Sequence, residues 1–138
     1  MKNHILVINN NLEDIEKIKN ILGKVYRITI VKSTQKALEV VKDDTPDLVL
    51  VDISLIRISE DEFIKIIKKN KKLYKIPIIF IAASLRYKDE ELNMELGAID
   101  FLRKPIESEI MLKIIKLNLE LKNYIKDFEY RIHERNNR

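Results

Sequence analysis

Cysteine is absent from this 138-residue chain, and glycine and proline are scarce, at two and three residues. Without a thiol, nothing in the fold depends on an oxidising compartment, and cysteine nucleophiles and thiolate metal sites are excluded. So little glycine and proline rules out collagen-like and low-complexity classes, and no glycine-rich loop is present to cradle phosphates. No apolar run approaches the roughly 20 residues of a membrane span, and the N-terminus lacks a signal peptide's apolar core. Neither His4 nor His133 belongs to a multi-residue metal-ligand motif, so metal-assisted hydrolysis lacks its parts.

What remains is the composition of a soluble, folded domain: 46% hydrophobic and 35% charged residues. This length buries a core without staples, and the expected setting is the cytoplasm. The net charge is +4, with lysines crowded at Lys65, Lys68, Lys69, Lys71, Lys72 and Lys75. They fall at the end of a predicted helix, where cations meet the negative end of the dipole. Tyr74 is the one aromatic residue among them, too little to stack on successive bases, so neither nucleic acid nor a membrane is an expected partner.

The pattern is organised around residues 46–52, Pro-Asp-Leu-Val-Leu-Val-Asp. Four apolar residues bounded by a turn signal and ending on a carboxylate read as a central strand covered on both faces, with Asp52 at its carboxyl end. Before it, His4–Ile8 reads as a strand, and Leu12, Ile15, Ile18 and Leu22 recur at helical spacing until Gly23 stops the helix. Asn9, Asn10 and Asn11 lie between them, any of which could cap that helix. A second strand over 26–31 leads to a helix capped by Ser33 or Thr34 and burying Ala37, Leu38 and Val41.

After a loop over 53–58, Ser59 and Glu62 have capping-box spacing, and Phe63, Ile66 and Ile67 give a buried helix face. Strands are predicted over 77–81 and 99–102, with a helix marked by Leu92 and Leu96 and ended by Gly97 between them. A last helix begins near Glu107 or Ser108. Strands alternating with helices require parallel pairing through right-handed crossovers, hence a doubly wound α/β fold. On that fold Asn9, Asn10, Asp52, Ala82 and Lys104 all reach one crevice, at the edge where open parallel sheets bind ligands.

Residues 46–52, together with Gly97-Ala98-Ile99-Asp100-Phe101-Leu102-Arg103-Lys104-Pro105, resemble the receiver domain of response regulators, the CheY-like family. The resemblance runs from about Lys2 to Leu121 and implies a five-stranded parallel sheet of order 2-1-3-4-5. It implies a receiver domain over 1–121 and a helical extension over 122–138. By resemblance, Asp52 stands at the phosphoacceptor, Lys104 at the lysine that contacts acid and phosphoryl group, Phe101 at the aromatic switch, and Lys104-Pro105 at a bond commonly cis. Asn9, Asn10, Asp52 and Ser54 occupy the family's metal-site positions. A sensor histidine kinase or another signalling protein is the implied partner, and the chain is not expected to be an enzyme.

Departures from the family pattern are equally plain. An acidic pair usually follows the first strand, where this chain has Asn9 and Asn10; a hydroxyl usually ends the fourth, where it has Ala82. The loop after the acceptor lacks its usual proline and glycine. Amide oxygens offer a hard dication only dipoles, and each missing carboxylate removes attraction of order several kcal/mol at about 4 Å. With Asp52 the sole acid and Lys104 opposite, magnesium is expected to bind poorly and the phosphoryl group to lack its usual hydroxyl. The expectation is a degenerate receiver acting through protein contacts, with no cofactor; the alternative is a working Asp52 switch that uses magnesium.

From Glu107 to about Arg135 the last helix would run roughly 40 Å, beyond what covering the sheet requires. Ile110, Ile114, Leu117, Leu121, Tyr124 and Phe128 alternate by four and three, as in a coiled-coil seam, while Met111 and Ile115 form a second stripe for the sheet. An ordinary amphipathic helix with a solvated tail remains the other reading. With no output domain following, the chain reads as a stand-alone regulator or as a dimerisation piece of a larger effector.

Overall fold

Short apolar runs separated by amphipathic stretches cannot bury both faces of a sheet unless helices return the chain to the same edge each time. That is the architecture of the computed structural model, which describes residues 2–56, 62–83 and 100–136. Strands β1 (His4–Ile8), β2 (Arg27–Val31), β3 (Leu48–Asp52), β4 (Ile78–Ala82) and β5 (Asp100–Arg103) form one sheet of order β2-β1-β3-β4-β5. Every pairing is parallel. The described helices are α1 (Leu12–Leu22), α2 (Thr34–Asp43), α3 (Glu62–Lys69) and a C-terminal helix, Ser108–Asn136.

Alternation along the strands divides the core into two layers. Leu6 and Ile8 of β1, Val49 and Val51 of β3, and Ile78 and Phe80 of β4 pack toward Ala37 and Val41 of α2 and Phe63 and Ile67 of α3. Ile5 and Val7, Leu48 and Leu50, and Ile79 and Ile81 face Ile18 and Leu22 of α1 and Met111, Ile115 and Leu119 of the C-terminal helix. The three central strands are buried at all positions, which explains why they read as continuous apolar runs.

One inward assignment is corrected: Ile66 is 40% exposed, at the rim of the face led by Phe63 and Ile67. Leu12, which shares the helical spacing of α1 and is its first residue, is 72% exposed. Ser33 is the cap of α2, accepting from the Lys36 N–H at 3.2 Å. Gly23 closes α1 with a helical φ of −62°, so glycine is needed for space: a Cβ there would lie 2.6 Å from the Lys19 carbonyl oxygen. Ser59, Leu92, Leu96 and Gly97 lie outside the described residues.

Candidate functional site

The same alternation that sorts the core sets positions 9 and 52 on the α1 side of the sheet, following Val7 and Leu50. Register Ile8↔Val51 makes Asn9 and Asp52 the next neighbours across β1 and β3. Asn9 continues the ladder through its N–H to the Val31 carbonyl at 3.0 Å. Its side chain is fully buried, with Oδ1 accepting from the Asn11 N–H at 2.8 Å and Nδ2 without a partner. Asn10 is exposed. Asn11 is the helix cap, accepting from the Asp14 N–H at 3.0 Å.

Asp52 is 4% exposed and both its oxygens are engaged. Oδ1 accepts from the Ser54 N–H at 2.9 Å and the Ser54 hydroxyl at 2.7 Å, while Oδ2 accepts from the Lys104 ammonium at 3.0 Å. Burial by itself would push this carboxyl up; the Ser54 donors and then Lys104 outweigh it and hold the group below 3.8. Lys104 has a second partner that sequence reasoning missed: Asp14 Oδ2, 2.8 Å from Nζ. Burial pushes the ammonium down, but Asp14 and Asp52 together hold it above 10.5.

Asp52 is therefore not the only acid of the crevice. In sequence, Asp14 reads as a first-turn carboxylate complementing a helix dipole; only the packing of α1 against the sheet brings it to Lys104. Two carboxylates face one ammonium, so one of the two charges lost at Asn9 and Asn10 is supplied from the helix instead.

Ala82 and Phe101 belong to the other side of the sheet edge. Ala82 is fully buried and its carbonyl accepts from the Lys104 N–H at 2.8 Å. Phe101 is half-buried, with its ring 5.6 Å from that of Phe80 at 58°. The Lys104-Pro105 peptide bond is cis.

Magnesium demands about six oxygens in a near-ideal octahedron. Here Asp52 gives both oxygens to three donors, the uncommitted atom of Asn9 is an amide nitrogen, and Asn10 is exposed. No group of three His, Cys, Asp or Glu able to hold a metal exists among the described residues. The donor set does not fit the ion. What it can do is hold a buried carboxylate ionised, with a lysine shared between strand and helix.

Residues 5–116 match the model of the response regulator receiver domain. The chain is 33% identical over 118 residues to a Vibrio cholerae protein named "Probable cyclic di-GMP phosphodiesterase", covering 86% of this chain and 27% of that one. It is 28% identical over 117 residues to hybrid signal transduction histidine kinase D of Dictyostelium discoideum, covering 82% of this chain and 7% of the kinase. The chain thus spans only a small part of these curated relatives. Among solved structures, NtrX from Brucella abortus superposes with a TM-score of 0.80 at 22% identity, over 94% of this chain and 29% of that one. A CheY-like receiver domain protein from Methanospirillum hungatei gives 0.75 at 21% identity, over 90% of this chain and 98% of that one.

Proposed function

The chain belongs to the response regulator receiver domain family, and from that premise we propose that it is an atypical receiver, signalling through protein contacts with weak or no phosphorylation at Asp52. One observation carries this reading: both oxygens of the acceptor carboxylate are already engaged by Ser54 and Lys104, beside a buried amide donor where a dication would want an acid. Receiver domains typically bind Mg2+ when active, and the ion neutralises the equatorial phosphoryl oxygens during transfer. Lys104 alone would do part of that work, and part of its charge is answered by Asp14. Ala82 offers no hydroxyl to hold a phosphoryl group or to link it to Phe101.

The partner in this reading is a sensor histidine kinase or another signalling protein. No helix among the described residues is long and apolar enough to cross a membrane. The test is incubation with magnesium and a small phosphodonor, followed by intact mass. Little or no addition is expected; stoichiometric addition that disappears in Asp52→Ala would establish the phosphorylated switch instead.

A second reading, that the C-terminal helix pairs two copies, is favoured by one observation. Met111, Ile115 and Leu119 are buried against the sheet, while Leu117, Leu121, Tyr124 and Phe128 are exposed at 61%, 48%, 77% and 60%. These exposed residues keep four-three spacing, the period of a self-complementary seam. The helix is held to the body by Lys122 near Asp47 and by the Lys75–Glu129 ion pair. Residues 122–138 then act as the pairing extension of a receiver over 1–121.

A further inference from the structure

Lys104 is reached from two directions, and one of them is not part of the sheet edge. Asp52 comes from the end of β3, whereas Asp14 comes from the first turn of α1, with its side chain 16% exposed and Oδ2 2.8 Å from Nζ. Asn11 fixes that turn by capping it at the Asp14 N–H itself, so the backbone bearing Asp14 is tied to the asparagine run that replaces the acids. Asn9 in turn orients Asn11 through its Oδ1. Asn9 and Asn11 thus serve the helix start rather than a metal, and the helix start delivers a carboxylate.

We propose that Asp14 is a positioning residue of the Asp52 site, holding the Lys104 ammonium in the crevice jointly with Asp52 in place of the acid that the end of β1 lacks. The ammonium then answers both carboxylates, as a resident counter-cation built into the chain. A change of charge at Asp52 redistributes Lys104 between β3 and α1, so the first turn of α1 senses the state of Asp52 without a hydroxyl at position 82. Asp14 has this role only where Asp52 and Lys104 are the receiver's acceptor pair. Because the measurement needs no phosphodonor, failure to phosphorylate Asp52 and failure of the Asp14 assignment are separate results.

The experiment is an NMR titration of the Lys104 side chain in the wild-type protein, Asp14→Asn and Asp14→Glu. The asparagine variant keeps the shape and removes the charge; the glutamate variant keeps the charge. Lys104 is expected to lose its proton at lower pH in Asp14→Asn and to return toward wild type in Asp14→Glu. A Lys104 curve in Asp14→Asn that superimposes on wild type overturns the assignment, as does an equal fall in both variants, which would signal a general disturbance of the turn. As a second readout, Asp52→Asn should shift the amide signals of Glu13 and Asp14, and that shift should vanish in a Lys104→Gln background. Persistence of the shift without Lys104 also counts against the proposal.

Discussion

Replacing Asn9 by aspartate should strengthen magnesium binding in the crevice and make the stability of the fold depend on the ion. Asn9 is fully buried beside Asp52, itself 4% exposed, one step beyond the Ile8↔Val51 register pair. Adjacent strands lie about 4.8 Å apart, so a carboxylate at position 9 would stand about 5 Å from that of Asp52. Two like charges at that distance repel by about 1 kcal/mol in bulk water and about 3 kcal/mol at the effective dielectric of a protein surface. Lys104 already serves Asp14 and Asp52, so a third carboxylate would have to share an ammonium that is engaged twice. Asn9→Asp should therefore lower the unfolding free energy in chelator by about 1–3 kcal/mol. Magnesium at about 100 times its dissociation constant should restore about 2.7 kcal/mol. Urea unfolding of both proteins, in chelator and in magnesium at matched ionic strength, measures the difference. A wild-type protein that gains as much from magnesium as the variant would refute the electrostatic reasoning, because it would show that the amide at position 9 costs the ion nothing.

Other outcomes follow from single positions. His4 is 2% exposed, and burial, followed by the Arg27 guanidinium, lowers its imidazole below 6.5. The unfolded chain therefore takes up that proton first, and the stability His4 contributes is complete above 6.5 and lost as pH falls toward the folded value. His4→Gln should flatten the slope of unfolding free energy over that interval. On the C-terminal helix, Ile115→Ala, at 1% exposure, should cost about 2–5 kcal/mol by urea unfolding. Leu117→Ala, at 61% exposure, should stay within about 0.5 kcal/mol at low protein concentration. Sedimentation of the full chain against one ending at Leu121 should show self-association only in the former, and two identical monomers would argue against the seam.

The alternation of strands and helices and the position of Asp52 at a strand end were legible in the residues, whereas the strand order came only with the resemblance to receiver domains. A short apolar strand with both faces covered belongs in the interior of a parallel sheet, and a carboxylate at its carboxyl end sits at the edge where such sheets bind ligands. The second stripe of the last helix, Met111 and Ile115, was also readable, since a 3.6-residue period fixes which side chains share a face. Less of the rim could be read: Leu12 obeys the period of α1 yet is exposed, because periodicity gives a direction around the helix axis and not how far the sheet extends beneath it.

Charge balance in the crevice was decided by tertiary structure alone. Local sequence gives Asp14 a complete explanation as a first-turn acid, and it stands 90 positions from Lys104. Only the packing of Ile18 and Leu22 against the strands sets the height of α1 and brings its first turn to the lysine. Likewise, nothing in the order of residues says which of three asparagines caps the helix or that Asn9 is left with a buried, unpartnered amide nitrogen. Apolar pattern is written along the chain and survives reading one residue at a time; electrostatics depends on distances between groups remote in sequence, and those distances exist only once the chain has folded.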